Sequence, residues 1–314
     1  MLTHHRECFI STAVRLAAVV ACRCTPTQKA DIAQLIRTST KKRICCIGDG
    51  GNDVSMIQAA DVGIGIVGKE GRQASLAADF SVEQFYYLTK LLVWHGRNSY
   101  KRSAKLAQFV IHRGLLISVC QTVFSVARGF EPTALYRDWL LVGYATVYTM
   151  FPVFSLVLDT DIPPRLAHLY PELYAELLVS KSLSYRTFLV WMAISVYQGC
   201  AIQLLSQTLV GLDDFSKMVS ISYTALIVNE LLMVAAEVTI WHWIMVVSIV
   251  GTAAMYVGSL PLLREYFDLS FMLTVGFAWR TTAIVAISLM PVWAAKMISR
   301  AIKPPNYRKV QQGL

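Results

Sequence analysis

The chain has 314 residues, room for two ordinary domains, and is 55% hydrophobic with only 16% of residues charged. Soluble domains carry about 25% charged residues, so this balance, with a mean hydropathy of +0.49, excludes an ordinary soluble enzyme and points to the membrane. The net charge of +9 raises nucleic acid as a partner, but no solvated basic domain with interleaved aromatics is present; Lys101, Arg102, Lys105, Lys296, Arg300, Lys303, Arg308 and Lys309 instead flank apolar runs, where anionic lipid is the expected partner.

Along the chain, the first seven residues lack the basic flank and apolar core of a secretory signal. The continuous apolar run 16–22 predicts a strand buried on both faces. Thr25 is placed to cap a helix and Pro26 suits its first turn, giving a helix through about Thr38. Residues 43–47 predict a second buried strand, 54–60 a short helix and 61–67 a third strand. Strands alternating with helices imply a parallel sheet with a site at the strand C-termini. The seven cysteines (Cys8, Cys22, Cys24, Cys45, Cys46, Cys120, Cys200) are odd in number and lack C-x₂-C spacing, so they read as reduced, buried thiols rather than a metal site.

The stretch 48–56, GDGGNDVSM, carries the most chemistry. Its glycines let the backbone turn sharply against a ligand. Asp49 and Asp53, four apart, place hard oxygens that can hold Mg²⁺ directly or through water, together with a phosphate. Asn52 can orient a phosphate oxygen without adding charge. Lys29, near a helix start one strand earlier, can place an ammonium on a transferring phosphoryl group.

These residues, as CRCTPTQKAD followed by GDGGNDVSM, resemble two motifs of the P-type ATPases, which share the haloacid-dehalogenase phosphotransfer fold. The resemblance implies that Lys29 contacts the phosphoryl group, that Asp49 binds Mg²⁺, that Asn52 and Asp53 complete the site, and that Arg23 lies nearby on the nucleotide side. ATP and Mg²⁺ are then the cofactors. Residues 68–79, 95–102 and 147–153 look like the phospholipid-translocating, type IV branch. QFVIHR, FPVFSLVLD and LYPELY look most like flippases thought to act without an accessory subunit. The phosphorylated aspartate of an Asp-Lys-Thr-Gly-Thr motif is not in the sequence, nor is the actuator loop Asp-Gly-Glu-Thr. The expectation is a C-terminal part of a flippase, inactive alone and unable to form a phosphoenzyme.

Residues 84–105 read as a stalk helix, in which Gly96 is either a tolerated weak point or a flex point. Six spans follow near 107–127, 139–158, 187–210, 218–236, 242–263 and 269–295, each close to the ~20 residues a bilayer needs. The expected domains are a partial phosphorylation domain (1–83), a stalk (84–106), a transmembrane domain (107–295) and a basic tail (296–314). Asp159 and Asp161 end an apolar run followed by Ile-Pro-Pro, and read as a helix end rather than a phosphorylation motif. The basic excess of 159–186 and of the tail puts these segments and both chain ends in the cytosol. By resemblance the membrane is Golgi, trans-Golgi or endosomal.

Charges within the spans are functional candidates. Arg113 either senses a lipid head group, as the resemblance implies, or snorkels to the interface. Glu230 and Arg280 either pair with each other or line a polar lipid path. Pro152 frees a backbone carbonyl in the second span. Trp241 and Trp243 read as interfacial anchors. Three functions compete: a phospholipid flippase, a cation pump of the same superfamily, and a non-enzymatic membrane protein that binds or regulates a full-length flippase. The first two spans hold no Asp or Glu, which argues against cation sites.

Overall fold

The computed structural model describes residues 6–68, 72–175, 177, 183–211 and 214–302. Lys69, Glu70 and Gly71 of the 68–79 motif, Lys181 of the basic loop, and Lys303, Arg308 and Lys309 of the tail lie outside the described residues. The chain divides into two compact units, Met1–Leu92 and Val93–Leu314.

In the first unit, α1 (Arg6–Ala13) and α2 (Pro26–Thr40) precede a parallel three-stranded sheet of order β1 (Cys45–Gly48), β2 (Val62–Ile66) and β3 (Phe80–Val82). The crossovers carry α3 (Val54–Ala59) and α4 (Gln73–Ala77). Ile57 of α3 and Ile64 of β2 are almost fully buried and form the core of this unit. Helix α4 lies so close to β2 that a Cβ at Gly65 would stand 2.5 Å from Ser75 Cα. Asp61 ties the start of β2 to its neighbours: Oδ2 accepts from Ile44 N at 3.0 Å and Oδ1 pairs with Arg37 at 2.9 Å.

Two expectations are corrected here. Residues 16–22 form no strand; the run is irregular and exposed, Val20 at 87%. A strand exists only by pairing its backbone, and β1 is paired along one edge, to β2. The cysteines are all free, as expected of reduced thiols, but only Cys46 and Cys120 are buried, whereas Cys8, Cys22 and Cys45 are exposed. The short β3, with Phe80 exposed, is an addition that its sequence does not advertise.

Among the described residues, six helices are apolar and long enough to cross a membrane: Tyr87–Ala127, Asp138–Leu158, Tyr185–Val210, Phe215–Glu237, Trp243–Leu263 and Val275–Ile302. The fourth is the central one: 83% of its most apolar window is buried, against 11% for the fifth. The first span is wound as a π-helix over Lys90–Gly96 and regular from Arg97 to Ala127. Gly96 thus sits where the winding changes.

The second span is irregular. It runs α over Asp138–Val142, π over Gly143–Tyr148, α over Met150–Ser155 and ends in a 3₁₀ turn, Leu156–Leu158. Pro152 has no N–H for the Tyr148 carbonyl and its ring crowds that turn, which is where the winding changes. The Thr149 hydroxyl compensates locally, donating to Tyr144 O at 2.6 Å. The sixth span begins later than its apolar sequence suggests. Leu269–Met272 is a separate turn capped by Asp268, and the long helix starts at Val275, where Thr274 Oγ1 accepts from Phe277 N at 3.3 Å.

Asp159 and Asp161 are structural, as a helix end would have them. Arg97, Lys101 and Lys105, four apart on one face of the first span, reach them in turn. Arg97 donates Nε and Nη2 to Asp161 Oδ2 at 3.0 and 2.9 Å, Lys101 meets the same oxygen at 2.6 Å, and Lys105 meets Asp159 Oδ2 at 2.5 Å. Asp159 Oδ1 also accepts from Thr239 N and Ile240 N, so one carboxylate at the end of the second span joins the first span to the segment that follows the fourth.

Candidate functional site

At the C-terminal end of β1, local sequence fixes two side chains against each other. Thr25 caps α2 in a capping box: Gln28 N donates to Thr25 Oγ1 at 3.3 Å and Thr25 N donates to Gln28 Oε1 at 3.0 Å. With Pro26 at the first position, Lys29 falls in the first turn. From there its Nζ reaches Asp53 Oδ1 at 2.7 Å. Asp53 closes the 3₁₀ turn Gly51–Asp53 and packs over the end of β1, where a Cβ at Gly48 would lie 2.3 Å from Asp53 Cβ. Only glycine at 48 permits that approach.

Asp49 and Asn52 lie exposed on the same turn. Arg23 is exposed too, with its backbone in the left-handed region at φ 56°. The structure therefore brings Lys29 and Asp53 together, leaves Asp49 and Asn52 open to solvent beside them, and keeps Arg23 on an exposed bend before α2. Among the described residues no group of three or more His, Cys, Asp or Glu side chains could hold a metal unaided. Two carboxylates on one turn still fit Mg²⁺, which takes one or two protein carboxylates and completes its shell with phosphate and water.

A second polar cluster lies inside the spans of the other unit. Arg113 donates Nη1 to Ala145 O at 3.2 Å and to Thr149 Oγ1 at 3.0 Å, on the turns just before Pro152. Glu230 is 1% exposed; its Oε1 lies 3.5 Å from His112 Nε2 and from Tyr144 Oη. His112 Nδ1 lies 2.7 Å from Ser195 Oγ. Beyond it, Asn229 donates to Gln198 Oε1 at 3.3 Å and accepts from Ser288 Oγ at 3.1 Å.

Glu230 and Arg280 do not pair. The fourth and sixth spans run parallel: Asn229 meets Ser288 and Glu237 meets Lys296 at the same offset of 59 positions. Arg280 is therefore level with residue 221, nine positions or about 14 Å from Glu230 along the axis. It stacks on Phe271 instead, its Cζ 5.9 Å from the ring centroid.

A profile described as Phospholipid-translocating P-type ATPase C-terminal matches residues 75–305. The chain is 60% identical over 313 residues to phospholipid-transporting ATPase NEO1 of Saccharomyces cerevisiae, covering 99% of this chain and 27% of that protein. The chain belongs to the phospholipid-translocating P-type ATPase family. It is also 54% identical over 309 residues to probable phospholipid-transporting ATPase IIB of Bos taurus (98% of this chain, 27% of the relative), and 38% identical over 198 residues to phospholipid-transporting ATPase 2 of Arabidopsis thaliana (63% and 18%). The chain thus spans about a quarter of the length of the yeast and bovine relatives. The Lys29–Asp53 turn precedes the profile match but falls within the part shared with the yeast relative.

Sequence reasoning singled out Glu230 and Arg113 in this family member but passed over Ser195, Gln198 and Ser288, and His112 entered only as part of the QFVIHR motif. A signal was present. Ser195, Gln198, Ile202 and Ser206 share one buried face of an otherwise apolar third span, at helical spacing. Polar residues on a buried helix face need partners, and the first span supplies one to Ser195, the fourth and sixth to Gln198.

Proposed function

We propose that this chain supplies the phosphate-handling turn and six membrane spans of an ATP-driven, Mg²⁺-dependent phospholipid flippase. The observation that carries the reading is the 2.7 Å contact of Lys29 Nζ with Asp53 Oδ1 at the C-terminal edge of a parallel sheet, beside the open carboxylate of Asp49. In this reading the first unit is part of a haloacid-dehalogenase-like phosphorylation domain. Lys29 holds a phosphoryl oxygen, Asn52 orients another, and Asp49 with Asp53 holds Mg²⁺, which offsets the charge of the phosphate when bound. Asp53 also keeps the Lys29 ammonium in place, while Arg23 serves the nucleotide side. Charge and geometry are matched to a phosphoryl group, since an ammonium and a metal-binding carboxylate flank one small open turn.

In the membrane, Arg113 beside the Pro152 break is the group best placed for a lipid head group, because its guanidinium is half-exposed while anchored to Ala145 and Thr149. Glu230 is sealed within the bundle and Arg280 sits against Phe271, so any part they take in a lipid path requires rearrangement. The clustering of Lys101, Lys105, Lys296 and Arg300 at one end of the spans supports placing that end, and both chain ends, in the cytosol. The motifs QFVIHR, FPVFSLVLD and LYPELY, through the flippases they resemble, support a Golgi, trans-Golgi or endosomal membrane and action without an accessory subunit.

The test is a chimera in which this chain replaces the matching portion of the yeast ATPase. Asp49→Asn is expected to lower Mg²⁺-dependent, lipid-stimulated ATP hydrolysis at least ~100-fold, the scale set by removing one preorganised charge-stabilising group. Unchanged hydrolysis would remove Asp49 from the site.

A further inference from the structure

The buried pair His112 and Glu230 has no part in the phosphate chemistry above, and its hydrogen bonding is incomplete. His112 Nδ1 faces Ser195 Oγ at 2.7 Å, and the hydrogen of that hydroxyl goes to Trp191 O at 2.8 Å. With its hydrogen on Trp191 O the hydroxyl only accepts, His112 Nδ1 is the donor, and a neutral ring then carries its proton at Nδ1. Nε2 is left pointing at Glu230 Oε1, 3.5 Å away, without a hydrogen-bond partner of its own; Glu230 Oε2 likewise has none. If the ring is neutral with its proton on Nδ1 and the carboxylate ionised, two lone pairs face each other in a buried site. Such an arrangement is costly for a carboxylate this deeply buried.

The surroundings limit the alternatives. His112 is walled by Phe109 and Trp191, with ring centroids 6.0 and 5.5 Å away. The charged and titratable groups acting on Glu230 are Arg113 from the first span and Tyr144 from the second. Arg113 directs Nη1 at Ala145 O and Thr149 Oγ1, and the Tyr144 hydroxyl is divided between Arg113 O at 3.1 Å and Glu230 Oε1 at 3.5 Å. From the third, fourth and sixth spans the neighbours are Ser195, Gln198, Asn229 and Ser288, which do not titrate. An imidazolium beside a carboxylic acid would add a second positive charge next to Arg113. One proton is the occupancy that leaves neither a bare anion nor an excess cation.

We propose that His112 and Glu230 form a proton-binding site inside the membrane unit, holding one proton between His112 Nε2 and Glu230 Oε1. The proton is either on the carboxyl and donated to Nε2, or on the ring and donated to the carboxylate; the two forms have the same composition and net charge. The site joins the first span to the fourth. A motion that separates those spans and wets the site opens that proton to exchange with water, which links proton occupancy to the conformation of the bundle.

The test uses the full chain in lipid nanodiscs at pH 7. Nitrogen NMR of labelled histidine, assigned with His112→Asn, counts the protons on the ring. The carboxylic-acid stretch in the infrared, assigned by its loss in Glu230→Gln and by its shift on ¹³C-carboxyl glutamate labelling of the wild-type chain, reports the proton on the carboxyl. The expected result is one proton in total: an acid band with a neutral ring protonated at Nδ1, or no acid band with both ring nitrogens protonated. A neutral ring with no acid band, or an imidazolium with an acid band, overturns the proposal. The isotope shift needs no variant, so the count stands even where Glu230→Gln fails to fold.

Discussion

Asp161 shows how a carboxylate at a helix end is held by charge rather than by chemistry. Burial works to raise its carboxyl, but Lys101 and Arg97 outweigh that and hold it below the ordinary range. A carboxyl depressed in the folded state contributes stability above its unfolded value near ~4, and loses it as the pH falls through the folded value. Asp161→Asn is expected to destabilise the second unit by ~3–5 kcal/mol at pH 7, because it leaves the almost fully buried Arg97 without its counter-charge. The difference from wild type should shrink below about pH 4; thermal unfolding in detergent across pH measures both. Thiol chemistry gives a second check at this scale. Cys46 is buried and its thiol is pushed up by burial and then by Cys45, whereas Cys8 and Cys22 are exposed. Maleimide should modify Cys8 and Cys22 in the folded chain well before Cys46 or Cys120, as read by mass spectrometry; equal rates would contradict the packing of β1.

At the scale of elements, α2 was legible from Thr25 and Pro26 because capping is a local interaction between residues three apart. Thr25→Ala is expected to cost α2 about 1 kcal/mol and Thr25→Ser much less, measured by denaturant unfolding of the first unit. The cap also sets the position of Lys29, so the same variant should weaken phosphate handling in the chimera. The six apolar runs were equally plain, since length and hydropathy alone specify a span. What could not be read was winding. The π segment over Gly143–Tyr148 depends on Thr149 and Arg113 taking up Tyr144 O and Ala145 O, and one of these partners comes from another helix. The same limit explains residues 16–22: their apolar run says buried strand, but pairing is decided by a neighbour, and β1 offers them no partner among the described residues.

For the molecule as a whole, alternation of charge in the loops predicts which ends of the spans share a side. Cysteines introduced as Phe130→Cys and Arg165→Cys should be labelled by impermeant reagents from opposite faces of a sealed vesicle, with 165 on the cytosolic face. Labelling of both from one face would overturn the orientation. The sequence by itself determined the Gly- and Asp-rich turn after β1, two of the three parallel strands with helices α2 and α3, and the number of apolar spans, because each rests on spacing within a few turns of chain. Only the tertiary structure decided which buried charges meet. Glu230 faces His112 rather than Arg280 because the parallel fourth and sixth spans are held in one register, and that register is set by side-chain contacts between segments about 60 residues apart, such as Asn229 with Ser288 and Glu237 with Lys296.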